Sequence, residues 1–387
     1  MNEHATLRIF IVAGEESGDQ LGYKLMQALR AKAPGVQFTG VGGKAMTQEG
    51  LSSHFAIDDI AVMGFLPVFA RLPLLLKRIA QTAEAVVAQK PDVLVIIDSP
   101  DFTHRVARIV RNADPKIPII NYVSPTVWAW RPWRAKKMRA YVDHLLALLP
   151  FEPRAHEELG GPLCTYVGHP LIERYADLRP NDAECMEREK PRLLILPGSR
   201  RSEVSRLLPV FREAIALLVN RVGPVEAMLP AVDRLADDIT RQTRDWPIPV
   251  KILRGEAEKW RAFRTARAAL AASGTVTLEL ALAQIPMVTA YKVNPVEAAI
   301  ARRVVRLPSV ILPNIILGEN VVPEFLQENC TPQKISEALI PLMQGDVARA
   351  VQLTAFDQVE DLMRLSGDAS PSEKAAEIVL SYAKQAQ

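Results

Sequence analysis

Leu193-Leu194-Ile195-Leu196-Pro197-Gly198-Ser199-Arg200-Arg201-Ser202-Glu203-Val204 lies near the midpoint of a 387-residue chain. Its four consecutive apolar residues suit a strand covered on both faces. Gly198 ends the run and lets backbone approach a ligand closely, and Ser199 and Ser202 are N-cap candidates for the helix that follows. The free N–H groups of that helix start, with Arg200 beside them, form a natural seat for a phosphate or diphosphate. The plain alternative is an ordinary βα turn with a solvated arginine pair. An anion seat at this place in the chain points to a second α/β domain beginning here.

The same logic returns downstream. Ala268–Ala272 reads as a strand, and Ser273-Gly274-Thr275-Val276-Thr277-Leu278-Glu279 as a Ser/Gly turn opening a helix. Glu279, one turn into that helix, can accept hydrogen bonds from both hydroxyls of a ribose. Otherwise it is an acid near a helix N-terminus, worth about 0.3–1 kcal/mol. Asn314, in Leu312-Pro313-Asn314, stands in a turn where its amide can hydrogen-bond a substrate.

Upstream, Leu7–Ala13 is a short apolar run broken by Gly14-Glu15-Glu16-Ser17-Gly18-Asp19, after which Leu21, Leu25, Ala28 and Leu29 recur at helical spacing. The GxGxxG spacing of dinucleotide sites is missing, and carboxylates in the turn repel a diphosphate. Glu15, Ser17 and Asp19 suit a hydroxyl-rich ligand such as a sugar, or Ser17 or Asp19 merely caps the helix. Val93–Ile97 is another buried strand, ending in Asp98. Ligands of open parallel sheets collect beyond such strand ends, where a carboxylate can take a proton from an attacking hydroxyl. Asp101 is placed to cap the next helix, which leaves Asp98 free for that work.

Two segments suggest a membrane surface. Val62–Leu76 is densely apolar, interrupted by Pro67, Arg71 and Pro73 and followed by Lys77 and Arg78. It is too broken to span a bilayer but suited to the headgroup layer, with Phe65, Leu66, Phe69, Leu72, Leu75 and Leu76 as contacts. Burial in a core or dimer contact is the alternative. Arg302, Arg303 and Arg306 on a helix predicted over Pro295–Arg306 can reinforce docking. Trp128 and Trp130, near Arg131, Arg134, Lys136, Lys137 and Arg139, are better read as packing or sugar-lining residues beside solvated cations than as a nucleic-acid surface.

Composition sets the frame. Hydrophobic residues at 49% fill two cores, and a net charge of +3 gives no ground for bulk nucleic-acid binding. Cys164, Cys185 and Cys330 show no metal or disulfide spacing, which fits a reducing cytosol. Met1–Phe10, with acid and His before a strand, is not expected to be a signal peptide, and no apolar run of about 18 residues occurs. The polar segment Glu173–Pro191 reads as a linker.

Taken in order, these motifs resemble the lipid-A-disaccharide synthase family over nearly the whole chain. The resemblance rests on Ala13-Gly14-Glu15 with Ser17-Gly18-Asp19, Ile97-Asp98 with Pro100-Asp101-Phe102, and Tyr122-Val123-Ser124-Pro125. It continues through Val127-Trp128-Ala129-Trp130-Arg131, Leu149-Pro150-Phe151-Glu152 and Val167-Gly168-His169-Pro170. Leu196 to Arg200, Ser273-Gly274-Thr275 with Leu278-Glu279, and Leu312-Pro313-Asn314 complete it. Glu16, Thr126 and Arg201 depart from the family's pattern, and the doubled acid leaves open whether Glu15 or Glu16 faces the acceptor.

The resemblance implies an α/β fold of GT-B type, two Rossmann-like domains facing across a cleft. Residues 1–170 would bind the acceptor and carry the docking segment 62–78; residues 171–350 would bind the UDP-sugar, and 351–387 would return to the first domain. It implies inverting transfer from UDP-2,3-diacylglucosamine to 2,3-diacylglucosamine 1-phosphate, giving lipid A disaccharide 1-phosphate and UDP. Asp98 would be the base, Arg200 would steady the leaving UDP, and Asn314 would be an active-site residue. Glu15, Ser17, Gly18, Asp19, Gly198, Ser199, Ser273, Gly274, Thr275 and Glu279 would bind substrate. The absence of a DxD pair predicts no metal or other cofactor. Partners would be the two lipid substrates and the phospholipid surface at the cytoplasmic face of the inner membrane, with no nucleic acid; an oligomer is compatible. The rival on the same scaffold is another UDP-sugar enzyme, such as a UDP-N-acetylglucosamine epimerase.

Overall fold

The computed structural model describes residues 6–61, 65–295, 297–299 and 307–385, with the backbone alone for 65–70. The chain divides into two units, Met1–Glu173 with Leu365–Gln387, and Arg174–Arg364.

The first unit carries β1 (Arg8–Ala13), β2 (Gln37–Val41), β3 (Ser52–Ser53), β4 (Val93–Ile97), β5 (Ile119–Tyr122), β6 (His144–Ala147) and β7 (Leu163–Tyr166). They form one sheet in the order β3-β2-β1-β4-β5-β6-β7, and each neighbouring pair is parallel. Ile9, Ile11 and Val95 face Leu25 and Leu29 of the helix Glu16–Lys32 and Val379 of the helix Pro371–Gln385. Phe10, Val12, Leu94 and Ile96 face Ile79 and Val86 of the helix Phe65–Gln89 and Val106 of the helix Pro100–Ala113. Cover on both faces is why the central strands read as unbroken apolar runs. The strand order reverses between β1 and β4, and open α/β sheets bind ligands beyond the strand ends at such a point.

The second unit repeats the plan. Its strands are β8 (Arg192–Leu196), β9 (Glu226–Pro230), β10 (Val250–Leu253), β11 (Ala268–Ala272), β12 (Met287–Tyr291) and β13 (Glu324–Leu326). They run parallel in the order β10-β9-β8-β11-β12-β13, which reverses between β8 and β11. Leu207, Phe211 and Leu218 of the helix Arg201–Val222 pack against Leu193, Ile195 and Leu270 in its core.

The unit boundaries fall at Glu173/Arg174 and Arg364/Leu365, a few residues past the expected 170/171 and well past the expected 350/351. The helix Val347–Met363 stays with the second unit because Gln352 clasps both backbone groups of Met287 at 2.7 and 3.0 Å. The helix Phe65–Gln89 runs through Pro73, anchored by Ile79, Ala83 and Val86 in the core. On that helix Leu75 packs inward, whereas Leu72 is 37% and Leu76 49% exposed. Arg78 is held by Asp59 at 2.6 Å. The side chains of Phe65, Leu66 and Phe69, and Arg302, Arg303 and Arg306, lie outside the described residues. Among the described residues no helix is long and apolar enough to cross a membrane.

Candidate active site

Register decides what meets at the first reversal. Ala13 of β1 pairs with Ile97 of β4, so Gly14-Glu15 and Asp98-Ser99 leave the sheet side by side. The approach is tight: a Cβ on Gly14 would lie 2.2 Å from the Ser99 Cβ and 2.3 Å from its Oγ. Asp98 and Ser99 take φ of 52° and 44°, a left-handed conformation that costs non-glycine residues of order 1–3 kcal/mol each. Hydrogen bonds hold it there. Asp98 N–H donates to the Tyr122 carbonyl at 3.1 Å, the Thr103 hydroxyl donates to the Asp98 carbonyl at 2.7 Å, and Ser99 N–H donates to Asp98 Oδ1 at 2.7 Å.

The Asp98 carboxyl is thereby aimed at Glu15. Burial raises its pKa, and the Glu15 charge and a hydrogen bond to Glu15 raise it further, against the Ser99 N–H. A carboxylate with a raised pKa is a stronger base once ionised. Ser17 Oγ donates to Glu15 Oε1 at 2.6 Å. Glu15, Ser17 and Asp98 therefore form one polar cluster at the strand ends. It is Glu15, not Glu16, that faces Asp98.

Two predicted neighbours lie elsewhere. Asp19 is buried, and its carboxylate accepts from the N–H groups of Gly43 (2.7 Å), Ala45 (2.9 Å) and Met46 (3.1 Å). It caps the short helix Lys44–Gln48, so its oxygens are spent on backbone. Gly18 is buried too, and a Cβ there would lie 3.5 Å from Ala13 Cβ and Ile97 Cγ2; it sits where the helix Glu16–Lys32 meets the sheet. Asp101, expected as a helix cap, instead pairs with Arg134 at 3.0 Å.

The quoted motifs after β5 and β6 meet at a residue the sequence reading gave no role. Glu152 is buried, accepting from Trp128 Nε1 at 3.1 Å and from Leu148 and Leu149 N–H at 3.1 and 3.0 Å. Burial pushes its carboxyl up to about 7 against these donors and the Ser124 hydroxyl. Ser124 also meets His156 Nε2 at 2.9 Å. Glu152 thus fastens the segment Ser124 to Trp128 beside β5. Glu–backbone bonds of this kind leave no periodic signal in sequence.

In the second unit, Leu196 of β8 pairs with Ala271 of β11, so the Pro197–Arg200 turn and the Ser273–Thr275 turn emerge as neighbours. Gly198 has φ +104°, and a Cβ there would lie 2.4 Å from Glu203 Oε2. Neither Ser199 nor Ser202 caps the helix: Arg200 is the N-cap, and Glu203 reaches back to its N–H at 3.2 Å. The Arg200 guanidinium is 61% exposed, 3.1 Å from Glu203. Arg234, a cation not singled out by sequence, donates to the Ser199 carbonyl at 3.0 Å. Ser273 Oγ donates to the Val310 carbonyl at 3.1 Å, while Gly274 and Thr275 are exposed. Glu279 lies 2.9 Å from Lys259 Nζ, which partly neutralises the carboxylate expected to hold a ribose.

Asn314 lies inside the fold. It is buried, its amide donates to the Val322 carbonyl at 3.0 Å and to Glu324 at 2.8 Å, and its oxygen accepts from Val322 N–H at 2.9 Å. Glu324 in turn accepts from Ser309 and from Val310 N–H. The Asn314 amide, engaged inside the fold, holds the loop whose Val310 carbonyl meets Ser273.

Comparison with known proteins decides the family. The lipid-A-disaccharide synthetase family matches residues 9–379. The chain belongs to that family. A lipid-A-disaccharide synthase of Rhodopseudomonas palustris is 54% identical over 98% of both chains. One of Ruegeria pomeroyi is 45% identical over 97% of this chain and 95% of the other. Membership makes the chain a glycosyltransferase of lipid A biosynthesis. Among solved structures, Acinetobacter baumannii MurG aligns with a TM-score of 0.59 at 14% identity, covering 97% of this chain and 99% of that one. The UDP-GlcNAc 2-epimerase of Neisseria meningitidis aligns with 0.60 at 10% identity, covering 98% and 100%. These likenesses show the fold, a GT-B arrangement of two Rossmann-like domains. Family membership disfavours the epimerase alternative.

Proposed function

We propose that the first unit binds 2,3-diacylglucosamine 1-phosphate and the second UDP-2,3-diacylglucosamine, with Asp98 as the base that takes the proton of the acceptor 6-hydroxyl. The attacking oxygen displaces UDP from the anomeric carbon with inversion. Glu15 orients Asp98 and keeps its pKa high, and Ser17 orients Glu15. Arg200, exposed and nearly unspent, steadies the charge that grows on the departing diphosphate, with Gly198, Ser199, Ser273, Gly274 and Thr275 giving backbone and hydroxyl donors. A positioned base contributes about 10²–10⁴-fold and a cation or donor on the leaving charge about 10²–10³-fold.

The observation that carries this reading is the Asp98–Glu15 pair, held in a left-handed turn at the strand-order reversal. The exposed Leu72 and Leu76 support docking of the helix Phe65–Gln89 on the cytoplasmic face of the inner membrane, where acylated substrates reside. The test is UDP release from the two diacyl substrates by wild type and Asp98→Asn. Wild type releases UDP only with the acceptor present, and the variant is slower by at least about 10². Equal rates remove Asp98 from the chemistry.

A further inference from the structure

Outside the cluster just described, a cavity of about 340 Å³ in the second unit mixes acids with bases and selects no ligand charge. A smaller one in the first unit does select. It has a volume of about 210 Å³ and lies between the helices Pro100–Ala113 and Trp133–Met138, with Arg105, Arg108, Arg134 and Lys137 on its walls. One acid, Asp101, lines it and is paired with Arg134 at 3.0 Å. Among the described residues, Arg105, Arg108 and Lys137 have no carboxylate partner. Arg108 is braced instead by the His104 carbonyl at 3.2 Å and lies 5.5 Å from the Tyr141 ring centre.

Four cations facing one cavity against one acid repel each other unless an anion enters. The local field already shows: burial, then Arg134 and Arg108, press the His104 imidazole down to about 4, so it stays neutral and its ring bonds to the Tyr141 hydroxyl at 3.2 Å. The volume falls below the roughly 300 Å³ where whole small-molecule sites begin; it suits one anionic group, not a nucleotide. Trp133, 56% exposed, offers an apolar face at the rim. Pro100 and Asp101, which line the cavity, immediately follow the Asp98-Ser99 turn.

We propose that this cavity is a phosphomonoester subsite that holds the 1-phosphate of the acceptor sugar while its other end lies at Asp98. The assignment rests on the acceptor reading above. Arginine forks and a lysine are the groups that bind a terminal phosphate best, by charge-assisted hydrogen bonds. The subsite would make the enzyme select a sugar phosphate over the same sugar without phosphate, because an empty cationic cavity is left uncompensated by the neutral analogue.

The test has two arms, using Arg105→Gln, Lys137→Gln and the double variant, all at exposed positions that need not disturb folding. In the first, calorimetry measures binding of soluble glucosamine 1-phosphate and of glucosamine to wild type and variants. Each lost cation weakens the phosphate compound about tenfold, and the preference over glucosamine shrinks with it. This arm does not depend on turnover, so it stands apart from any failure of the synthase reading. In the second, the kcat/KM ratio for diacylglucosamine 1-phosphate over diacylglucosamine falls by at least about tenfold in the double variant. Unchanged binding and an unchanged ratio overturn the subsite. So does a loss confined to sedimentation with phosphatidylglycerol vesicles, which would give these cations to the bilayer.

Discussion

Gly14→Ala is the most direct trial of the proposed base. Ordinary contact begins near 3.4 Å, and the new Cβ would lie 2.2 Å from the Ser99 Cβ, so the two turns must separate by about 3.4 − 2.2 = 1.2 Å. Ser99 directly follows Asp98, and a misplacement of about 1 Å costs roughly 10²-fold in rate, which is about 2.7 kcal/mol of barrier. The structure also supplies the rescue. Once the Ser99 side chain is removed, the nearest remaining atom of that residue is its Cα at 3.7 Å, an ordinary contact. The Ser99 side chain caps nothing, and its φ of 44° is one that glycine adopts freely. Gly14→Ala should therefore lower kcat/KM for UDP release about 10²-fold with both lipid substrates present. Gly14→Ala with Ser99→Gly should recover most of it. A fully active single variant, or a double variant as slow as the single, would refute the link between this contact and catalysis.

Three further outcomes follow from the same geometry. Glu15→Gln removes a charge that raises the Asp98 pKa; the base works ionised, so the acidic limb of kcat/KM moves to lower pH, and a pH–rate profile with no shift contradicts the pairing. Burial, the largest cause, persists, so Asp98 stays above its ordinary value. Arg200→Ala removes a 61% exposed side chain and should leave the urea midpoint nearly unchanged while slowing UDP release about 10²–10³-fold; parallel losses of stability and rate would make it structural. Asn314→Ala strands the Val322 backbone and Glu324 inside the fold, costing about 2–4 kcal/mol in urea unfolding. Normal stability with lost turnover would instead make Asn314 an active-site residue.

How much of this was legible in sequence depended on the range of the interaction. β4, β8 and β11 are buried on both faces and read at once as apolar runs bounded by turn residues. β2, its apolar run broken by Thr39 and Gly40, and the short β3 and β13 take their identity from the neighbouring strand. Pro73 inside a helix removes one hydrogen bond, yet the helix Phe65–Gln89 runs through it. The packing of Ile79, Ala83 and Val86 kept the helix, and no local rule contains that packing. Site residues divide the same way. Asp98 and Arg200 stand in the turns after β4 and β8, where the sequence placed them, but Asp19 caps a helix more than twenty residues away, and the Asn314 partners close a loop. A polar side chain in a glycine turn shows its chemistry in sequence, not which way it points.

The two units use one strand order for opposite electrostatic ends. At the first reversal the adjacent turns place two carboxyls together, Glu15 and Asp98, with burial and mutual repulsion both favouring a held proton. A neutral hydroxyl is the ligand such a pair can serve, since a diphosphate would meet like charge. At the second reversal the turn carries Arg200, Arg234 of the helix Asp233–Thr243 donates to its Ser199 carbonyl, and Glu203 folds back to cap the helix. The Glu203 carboxylate occupies part of the positive end of that helix, so on the proposed mechanism the exposed Arg200 guanidinium, more than the helix start alone, meets the developing negative charge. Glu203→Gln separates these contributions: it keeps a side chain able to accept from Arg200 N–H while removing a negative charge beside the diphosphate seat. UDP should then bind more tightly by calorimetry. Weaker UDP binding would mean that Glu203 is needed to aim Arg200, and that geometry outweighs charge at this turn.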